Sequence, residues 1–304
     1  LQWRGEFERA LRCLHQVAEI ALREHAGFVF GASAFGIGNA YSSKGEYEEA
    51  LRWYRRLDDY ASAAGDKVYM ARAPNVIGGI HLEVFDLDEA ISRCVEGDEI
   101  AQKVFPWPEP RGHSLVKAGL GHLRRGEHGL AEEFFGRAAG LLDLDVWLRW
   151  RWHIPLLHAR GEMALIEGRH EEAWRFASES LEMATRSDAQ KHVARAERLQ
   201  GEVLAASGQL EQAISPFAAA LARAERLGTP REVWMTRAAL GGVLARLGRD
   251  REAEAHLLQA AQTIEAIASK LTTPQLHRAF VTAEPVARIF QMLGRQAPAP
   301  GLRA

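Results

Sequence analysis

A series of seven alanines at nearly constant spacing constrains this chain more than any other feature. Consecutive members lie 40 to 42 residues apart, and each opens an apolar helical run. A glycine, or a residue in its place, lies five positions before each alanine, as in the turn formed by residues 45–49. The alanines are Ala10, Ala50, Ala90, Ala131, Ala173, Ala213 and Ala253. A fixed period between about 20 and 50 residues is typical of a solenoid, in which each unit packs only against its neighbours.

A second small residue has the same period. From the second copy onward, a glycine lies twelve positions before each alanine. These glycines are Gly38, Gly78, Gly119, Gly161, Gly201 and Gly241. Glycine inside a helix costs about 0.5–1 kcal/mol relative to alanine, so its recurrence at one phase needs a packing reason. The pattern predicts two helices per copy, which approach each other closely at the glycine.

The residue four positions after each of these alanines is mostly large and apolar. The residues in this position are Tyr54, Cys94, Phe135, Ala177, Phe217 and Leu257. Together with the glycine-to-alanine spacing, this pattern resembles the tetratricopeptide repeat over roughly residues 27–270. The repeats differ from that family in being about 40 rather than about 34 residues long, and the helix-ending proline is mostly missing. Longer repeats of this kind resemble the C-terminal repeat region of bacterial STAND-type ATPases, which are signal-transduction ATPases with numerous domains.

The resemblance implies an all-α fold, a right-handed superhelical α-solenoid of helix hairpins. Valine and isoleucine are too sparse and too irregularly spaced for strands. We expect a half repeat at residues 1–26 and C-terminal capping helices at 272–295, followed by a disordered tail at 296–304. Six full repeats are expected near residues 28–64, 68–104, 110–145, 150–187, 190–227 and 231–270. Residues 1–5 are typical of the end of a helix, so we expect the chain to be the C-terminal part of a longer protein.

Prolines interrupt this pattern at several places. The segment 105–110 has three prolines at alternate positions, which predicts an extended loop between repeats. Pro74 and Pro155 are expected near the starts of first helices, where a missing N–H is tolerated. Pro216 falls three positions after Ala213, so the helix there is expected either to kink or to start later.

Composition excludes several classes of partner. A formal net charge of −2 without a clustered basic face argues against nucleic acid, and there is no apolar run long enough to span a membrane. The only two cysteines, Cys13 and Cys94, cannot form a disulfide framework. We expect both to be buried free thiols in a cytoplasmic protein.

The sequence contains no recognisable catalytic constellation. The glycine pairs near residues 36–38 and 78–79 fall in the helix-packing position and do not form a phosphate-binding loop. No histidine or cysteine spacing suits a metal ion, and His81 and His122 occupy the family's aromatic packing position. We therefore predict a protein that is not an enzyme and has no cofactor or metal.

The resemblance places a binding surface on the first helix of each repeat. In the family these helices line a concave groove, and the residues six and three before, and one and four after, the glycine are exposed. The polar residues predicted to bind a partner there are Asn39, Arg72, Asn75, His113, His158, Glu162, Arg195, Arg198 and Glu202. The two asparagines can bracket a peptide backbone, and the arginines can clamp a carboxylate. The alternative for any one of them is an ordinary solvated side chain.

A run of tryptophans at residues 147–152 is the other candidate for a binding surface. Trp147, Trp150 and Trp152 alternate with arginines, and stacking between them could build a binding hot spot. The alternative is that these rings fill a wide core between repeats.

The leading functional hypothesis is a non-enzymatic module that binds a protein or peptide segment, which could be another domain of the same parent chain. The alternative is a regulatory domain that senses a small-molecule effector and controls an upstream ATPase, cyclase or transcription-regulator domain. In that case, aromatic residues such as Trp107, Trp150 and Trp152 would cradle the effector.

Overall fold

The computed structural model describes residues 4–104, 107–144 and 148–298, and these residues form fifteen α-helices and no strand. The all-α prediction is therefore confirmed. The helices are α1 (Phe7–Arg23), α2 (Gly27–Ser43), α3 (Tyr47–Ala64), α4 (Lys67–Glu83), α5 (Leu87–Val104), α6 (Pro108–Arg124), α7 (His128–Gly140), α8 (Trp150–Ile166), α9 (His170–Arg186), α10 (Gln190–Ala206), α11 (Leu210–Leu227), α12 (Pro230–Arg246), α13 (Asp250–Ala268), α14 (Pro274–Thr282) and α15 (Glu284–Met292). From α2 to α13 the even-numbered helices are the first helices of the repeats and the odd-numbered ones the second.

The chain divides into two compact units, residues 6–156 and 157–298. In the first unit, α4 packs against α5 and also directly against α6, the next first helix. In the second unit, α10 packs against α9 and α11 and also contacts α12. Large side chains such as Tyr54 and Phe135 in the first unit, and Phe217 and Trp234 in the second, are almost completely buried. Contacts between successive first helices bring their polar side chains together.

The turn before each second helix explains the first glycine of the period. Gly45 and Gly208 have φ values of 70° and 79°, a left-handed conformation that glycine adopts without a steric penalty. Phe85 takes the same place in its repeat with a φ of 63°. The side chain of Arg124 stacks over the Phe85 ring, with 5.5 Å from Cζ to the ring centroid. The turn geometry is thus retained where the glycine is missing.

The second glycine makes the close helix contact that its recurrence predicts. A Cβ on Gly38 would lie 2.2 Å from the Tyr54 ring, and one on Gly201 would lie 2.8 Å from the Phe217 ring. The main neighbour is therefore the large residue four positions after the alanine. In the repeat where that residue is Ala177, Leu199 of the next first helix takes its place, 2.7 Å from a Cβ on Gly161.

The structure corrects the predictions made for the prolines. Pro108 and Pro110 lie in the first turn of α6 and not in an extended loop, because the first N–H groups of a helix have no intrahelical partner to lose. Pro74 and Pro155 lie inside α4 and α8, beyond the first turn in which a proline costs little. Pro216 is also inside its helix, since α11 already begins at Leu210. Of the segment 105–110, residues 105 and 106 lie outside the described residues.

The two cysteines differ in environment. Cys94 is buried against Gly78, and this burial raises the pKa of its thiol to about 12, although the charge of Lys117 opposes the shift. Cys13 is exposed on α1, so the prediction that it is buried was wrong. Cys13 lies six residues after buried Phe7, a rotation of about 240°, which turns it away from the buried side of that helix.

After α13, two short helices cover the last repeat. Both α14 and α15 contact α13 and bury apolar side chains, including Leu276, Phe280, Val286 and Phe290. Each helix has a proline in its first turn. A solenoid needs such a cover because its last repeat otherwise exposes an apolar face. Most of the predicted tail, from residue 299 onward, lies outside the described residues.

Candidate functional site

Arg72 on α4 is enclosed by three aromatic rings and a carboxylate. Its guanidinium carbon lies 4.6 Å from the centroid of Trp107, 5.6 Å from that of Phe35 and 5.9 Å from that of Tyr69. The same guanidinium donates two hydrogen bonds to Oε2 of Glu109, at 2.8 and 3.1 Å. Arginine suits such a site because its planar cation can stack on rings while it donates hydrogen bonds in its plane.

Glu109 is the centre of this cluster in the first unit. It lies in the first turn of α6, where the helix dipole favours a negative charge, and its side chain is only 5% exposed. Besides Arg72, His113 and Arg151 approach Glu109 Oε1 at 3.8 and 3.9 Å. Two arginines thus approach one buried carboxylate.

The two predicted asparagines are already engaged inside the first unit. Asn75 is buried, and its backbone oxygen and Oδ1 accept hydrogen bonds from Lys117 Nζ at 2.8 and 3.1 Å. Burial lowers the pKa of Lys117. Asn39 is half-buried and accepts a hydrogen bond from the Tyr54 hydroxyl at 2.9 Å. The amide oxygen of Asn39 therefore supports the hairpin of α2 and α3, and that of Asn75 joins α4 to α6.

A chain of ion pairs joins α8 and α10 in the second unit. His158 Nε2 lies 3.2 Å from Glu162 Oε1, and Arg198 Nη2 lies 3.6 Å from the same oxygen. Arg198 also donates to Glu202, one turn further along α10. His158 and Arg198 are only 7% and 3% exposed. These four predicted residues therefore form one continuous polar cluster.

Arg195 extends this cluster to α12. Its Nε donates to Oε1 of Glu232 at 2.6 Å, and the Glu232 side chain is only 1% exposed. Burial alone would raise the pKa of Glu232, but the charges of Arg195, Arg231, Lys191 and Arg198 outweigh it, so the pKa lies well below its usual range. Glu232 is therefore ionised in the interior of the second unit.

Both units have the same arginine–glutamate ion pair between successive first helices. Arg72 and Arg195 each bind a buried glutamate 37 residues later in the chain, in the first turn of the next first helix. The C-terminal ends of the same helices are also joined. Arg124, the last residue of α6, donates to the Leu82 carbonyl of α4 at 2.7 Å, and Arg246, the last residue of α12, donates to the Ala205 carbonyl of α10 at 3.1 Å. Sequence reasoning missed Glu109 and Glu232, although they lie one and two positions after a proline that opens a helix.

Three buried polar atoms of the cluster in the second unit have no hydrogen-bond partner among the described residues. They are His158 Nδ1, Arg198 Nε and Glu232 Oε2. A buried polar group without a partner costs about 1–3 kcal/mol, so such groups point to a water molecule or ligand, or to a functional constraint. They lie on three successive first helices, where the sequence predicts a binding surface.

Several side chains that were predicted to be exposed in the groove are buried in the structure. The position three before the glycine was expected to be exposed, yet Asn75, Val116, His158 and Arg198 are all buried there. Direct packing between successive first helices, as between α4 and α6, covers this position. The half-buried members of the predicted set are Asn39, Arg72, His113, Glu162, Arg195 and Glu202.

The predicted tryptophan hot spot is only partly accessible. Trp152 is completely buried and packs on Gly112, where a Cβ would lie 2.4 Å from the indole. This ring is therefore a core residue, and it can neither join a surface hot spot nor cradle an effector. Trp150 is half-buried beside Arg151, with 5.9 Å from the guanidinium carbon to the ring centroid. Trp147 lies outside the described residues.

His81 and His122 have the packing role that was predicted. Both are buried and bond to a carboxylate in the following turn, His81 to Asp86 at 3.0 Å and His122 to Glu127 at 2.5 Å.

Within the described ranges, no three His, Cys, Asp or Glu side chains converge on a point that could hold a metal ion. No described helix is both long and apolar enough to cross a membrane.

The comparisons with known proteins agree with this architecture. A family model described as "Tetratricopeptide repeat" matches residues 33–59, which include Gly38 and Ala50. The chain has a tetratricopeptide-like helical repeat fold. No curated protein sequence matches it significantly.

Several solved structures are similar. The Rap conjugation gene regulator of the plasmid pLS20, in complex with the Phr* peptide, aligns at 17% identity with a TM-score of 0.60, over 92% of this chain and 79% of that one. The Rap protein complexed with Competence and Sporulation Factor aligns at 11% identity and a TM-score of 0.59, over 88% and 76% of the two chains. The apo quorum sensor NprR from B. thuringiensis aligns at 11% identity and 0.57, over 94% and 82%. At these identities, the likeness shows the fold alone.

Proposed function

We propose that the first helices of this tetratricopeptide-like domain bind a peptide or protein segment in a groove, without catalysis. The observation that carries the proposal is the cluster on α8, α10 and α12. There, His158, Arg198 and Glu232 each bury a polar atom that has no hydrogen-bond partner among the described residues. The solved Rap structure with the Phr* peptide supports the class of ligand by similarity of fold.

The charges of this cluster favour an acidic segment. Four cations, Lys191, Arg195, Arg198 and Arg231, surround the three carboxylates of Glu162, Glu202 and Glu232. Burial and the neighbouring Arg195 and Lys191 lower the pKa of His192 well below its usual range, so that ring is neutral at pH 7. All four cations lie close enough to Glu232 to lower its pKa, and they would attract a carboxylate of the ligand in the same way.

The test begins with a phage-displayed library of random dodecapeptides, panned on the purified protein. The recovered peptides are then synthesised with fluorescein, and their affinity is measured by fluorescence polarisation. We expect them to be rich in Asp and Glu. Binding should weaken as the salt concentration rises, because screening reduces attraction between charges near the surface.

A conservative substitution locates the binding site. Glu202→Gln removes one carboxylate from the cluster, but Arg198 keeps its contact with Glu162. Acidic peptides should bind this variant about 2- to 5-fold more tightly, because a half-exposed charge pair is worth up to about 1 kcal/mol. Glu211→Gln, at an exposed position on α11, is the matched control and should leave the affinity unchanged. Equal affinities for both variants, or recovery of basic peptides only, would refute the proposal.

A further inference from the structure

A second candidate site lies elsewhere in the second unit, away from the ion-pair cluster. A cleft of about 830 Å³ runs between α9 and α11, and α10 forms its floor. It extends from His170 to Leu181 along α9, a distance of roughly 16 Å at 1.5 Å per residue. About five residues of extended chain have the same length. The cleft therefore has room for a short peptide segment.

The cleft and the predicted groove are on opposite sides of α10. The residues Glu197, Gln200 and Leu204 line the cleft, and each lies two positions after Arg195, Arg198 or Glu202 of the ion-pair cluster. Two residues correspond to a rotation of about 200° around a helix. A ligand in the cleft therefore does not meet the cluster on α8, α10 and α12.

Trp174 gives the cleft an aromatic wall. It lies on α9 and is 40% exposed, although large apolar side chains of the repeat core are buried. Glu171, one turn earlier on the same side of the helix, also lines the cleft and makes no ion pair among the described residues. An indole next to an uncompensated carboxylate suits a cation that stacks on the ring and pairs with the carboxylate.

The charges of the lining favour the same kind of ligand. Glu171 and Glu197 line the cleft, and no lysine or arginine does so within the part of the chain that the structure describes. Arg223 neutralises Glu197 with hydrogen bonds of 3.0 and 3.1 Å, which leaves the charge of Glu171. The attraction is therefore strongest at the end of the cleft that Trp174 occupies.

Pro216 leaves a backbone acceptor without its helical donor in the wall of the cleft. It lies inside α11 and has no N–H, so the carbonyl of Gln212 lacks its usual donor four residues later. Both residues line the cleft. A peptide N–H would satisfy this carbonyl, and the side-chain amides of Gln200 and Gln209 can both donate and accept hydrogen bonds. Leu181, Val203 and Leu204 supply apolar contacts.

We propose that this cleft is a second binding site, which takes a short extended segment of a basic protein. An arginine or lysine of the segment stacks on Trp174 and pairs with Glu171. A backbone N–H of the segment donates to the Gln212 carbonyl, and an apolar side chain packs on the floor. The site takes a ligand of the opposite charge to the one proposed for the first helices, so each can be tested without the other.

The test uses ¹⁹F NMR of the protein labelled with 5-fluorotryptophan. The chain has eight tryptophans, and Trp174→Phe identifies the resonance of Trp174 by its loss. The probe is Ac-Arg-Ala-Leu-Ala-Arg-NH₂, which offers an arginine to Trp174 in either chain direction. The control peptide is Ac-Glu-Ala-Leu-Ala-Glu-NH₂. We expect the basic probe to shift the Trp174 resonance saturably, with no shift of buried Trp234, and the acidic peptide to have no effect.

Two variants separate binding from folding. Glu171→Gln should weaken the basic probe about 2- to 5-fold, as expected for an exposed charge pair, whereas Glu182→Gln, exposed on α9 outside the cleft, should not. Pro216→Ala restores the N–H that bonds to the Gln212 carbonyl, so it should raise the melting temperature while it weakens the probe about 2- to 10-fold. A purely structural proline would change only the melting temperature.

Three results would overturn the proposal. The first is that the Trp174 resonance does not shift saturably with the basic probe. The second is that the acidic peptide shifts it equally. The third is that Glu171→Gln and Glu182→Gln bind the probe alike. Since none of these variants touches the cluster on α8, α10 and α12, failure here leaves the proposal for the first helices intact.

Discussion

The same substitution at two glycines tests the explanation of the repeat period. Gly38→Ala places a Cβ 2.2, 2.6 and 2.7 Å from Cε1, Cδ1 and Cζ of Tyr54. Ordinary carbon contacts begin near 3.5 Å, so the ring has to move by more than about 1 Å. Tyr54 is 2% exposed, and its hydroxyl donates to Asn39 at 2.9 Å. The ring therefore has no free space to move into without losing this bond.

The expected cost follows from these contacts. Overpacking costs about 1–3 kcal/mol, and loss of the Tyr54 hydrogen bond costs about 0.5–1.5 kcal/mol. Replacing a helical glycine by alanine returns about 0.5–1 kcal/mol through backbone entropy. Gly38→Ala should therefore lower the free energy of unfolding by about 2 kcal/mol, within a range of about 0.5–4 kcal/mol.

Gly242 provides the matched control. It lies inside α12, and a Cβ there would meet no atom within 4 Å, so Gly242→Ala should stabilise the protein by about 0.5–1 kcal/mol. Urea unfolding followed by circular dichroism at 222 nm measures both changes. The packing explanation is refuted if Gly38→Ala is as stable as the wild type, or if the two variants change stability in the same direction.

The remaining predictions concern charge and reactivity. Glu232→Gln should lower the free energy of unfolding by about 3–5 kcal/mol at pH 7, because it removes the buried carboxylate that Arg195, Arg231, Lys191 and Arg198 surround, and thermal melts would measure the loss. The pKa of Glu232 in the folded protein is below its unfolded value, so the stabilisation by this carboxylate is present above about pH 4.5 and is lost as the pH falls. The stability of Glu232→Gln should therefore depend less on pH than that of the wild type between about pH 5 and 3. Iodoacetamide at pH 8 should alkylate exposed Cys13 in the folded protein but not Cys94, because burial raises the pKa of the Cys94 thiol to about 12. Peptide mass spectrometry measures both; alkylated Cys94 with unmodified Cys13 would contradict the prediction.

Several local features were predictable because each depends on residues close together in the chain. The turn glycine at Gly45 recurs in most repeats and the packing glycine at Gly38 in all six full repeats, and each has a direct steric reason. The packing roles of His81 and His122 followed from the same phase, and the structure confirms them. The extended loop predicted from the prolines near residue 108 was wrong, because the pattern of alternate prolines does not reveal that a helix begins there.

The candidate site was predictable only in part. The period placed Arg72, Arg195 and Arg198 on the first helices, but it did not show that each forms ion pairs with a neighbouring element. Glu109 and Glu232 were missed because they lie 37 residues from their arginines. The cleft beside Trp174 has no sequence signature, since its lining comes from three helices and its backbone acceptor depends on a proline within one of them.

The sequence by itself determined the all-α repeat architecture and the phase of its helices, because turns and close helix contacts require particular residues at fixed local spacing. Only the tertiary structure decided which polar side chains are buried, which of them pair, and where a cleft stays open. These properties depend on how far successive first helices approach one another. That approach is set by packing over whole helices, and no single position in the repeat encodes it.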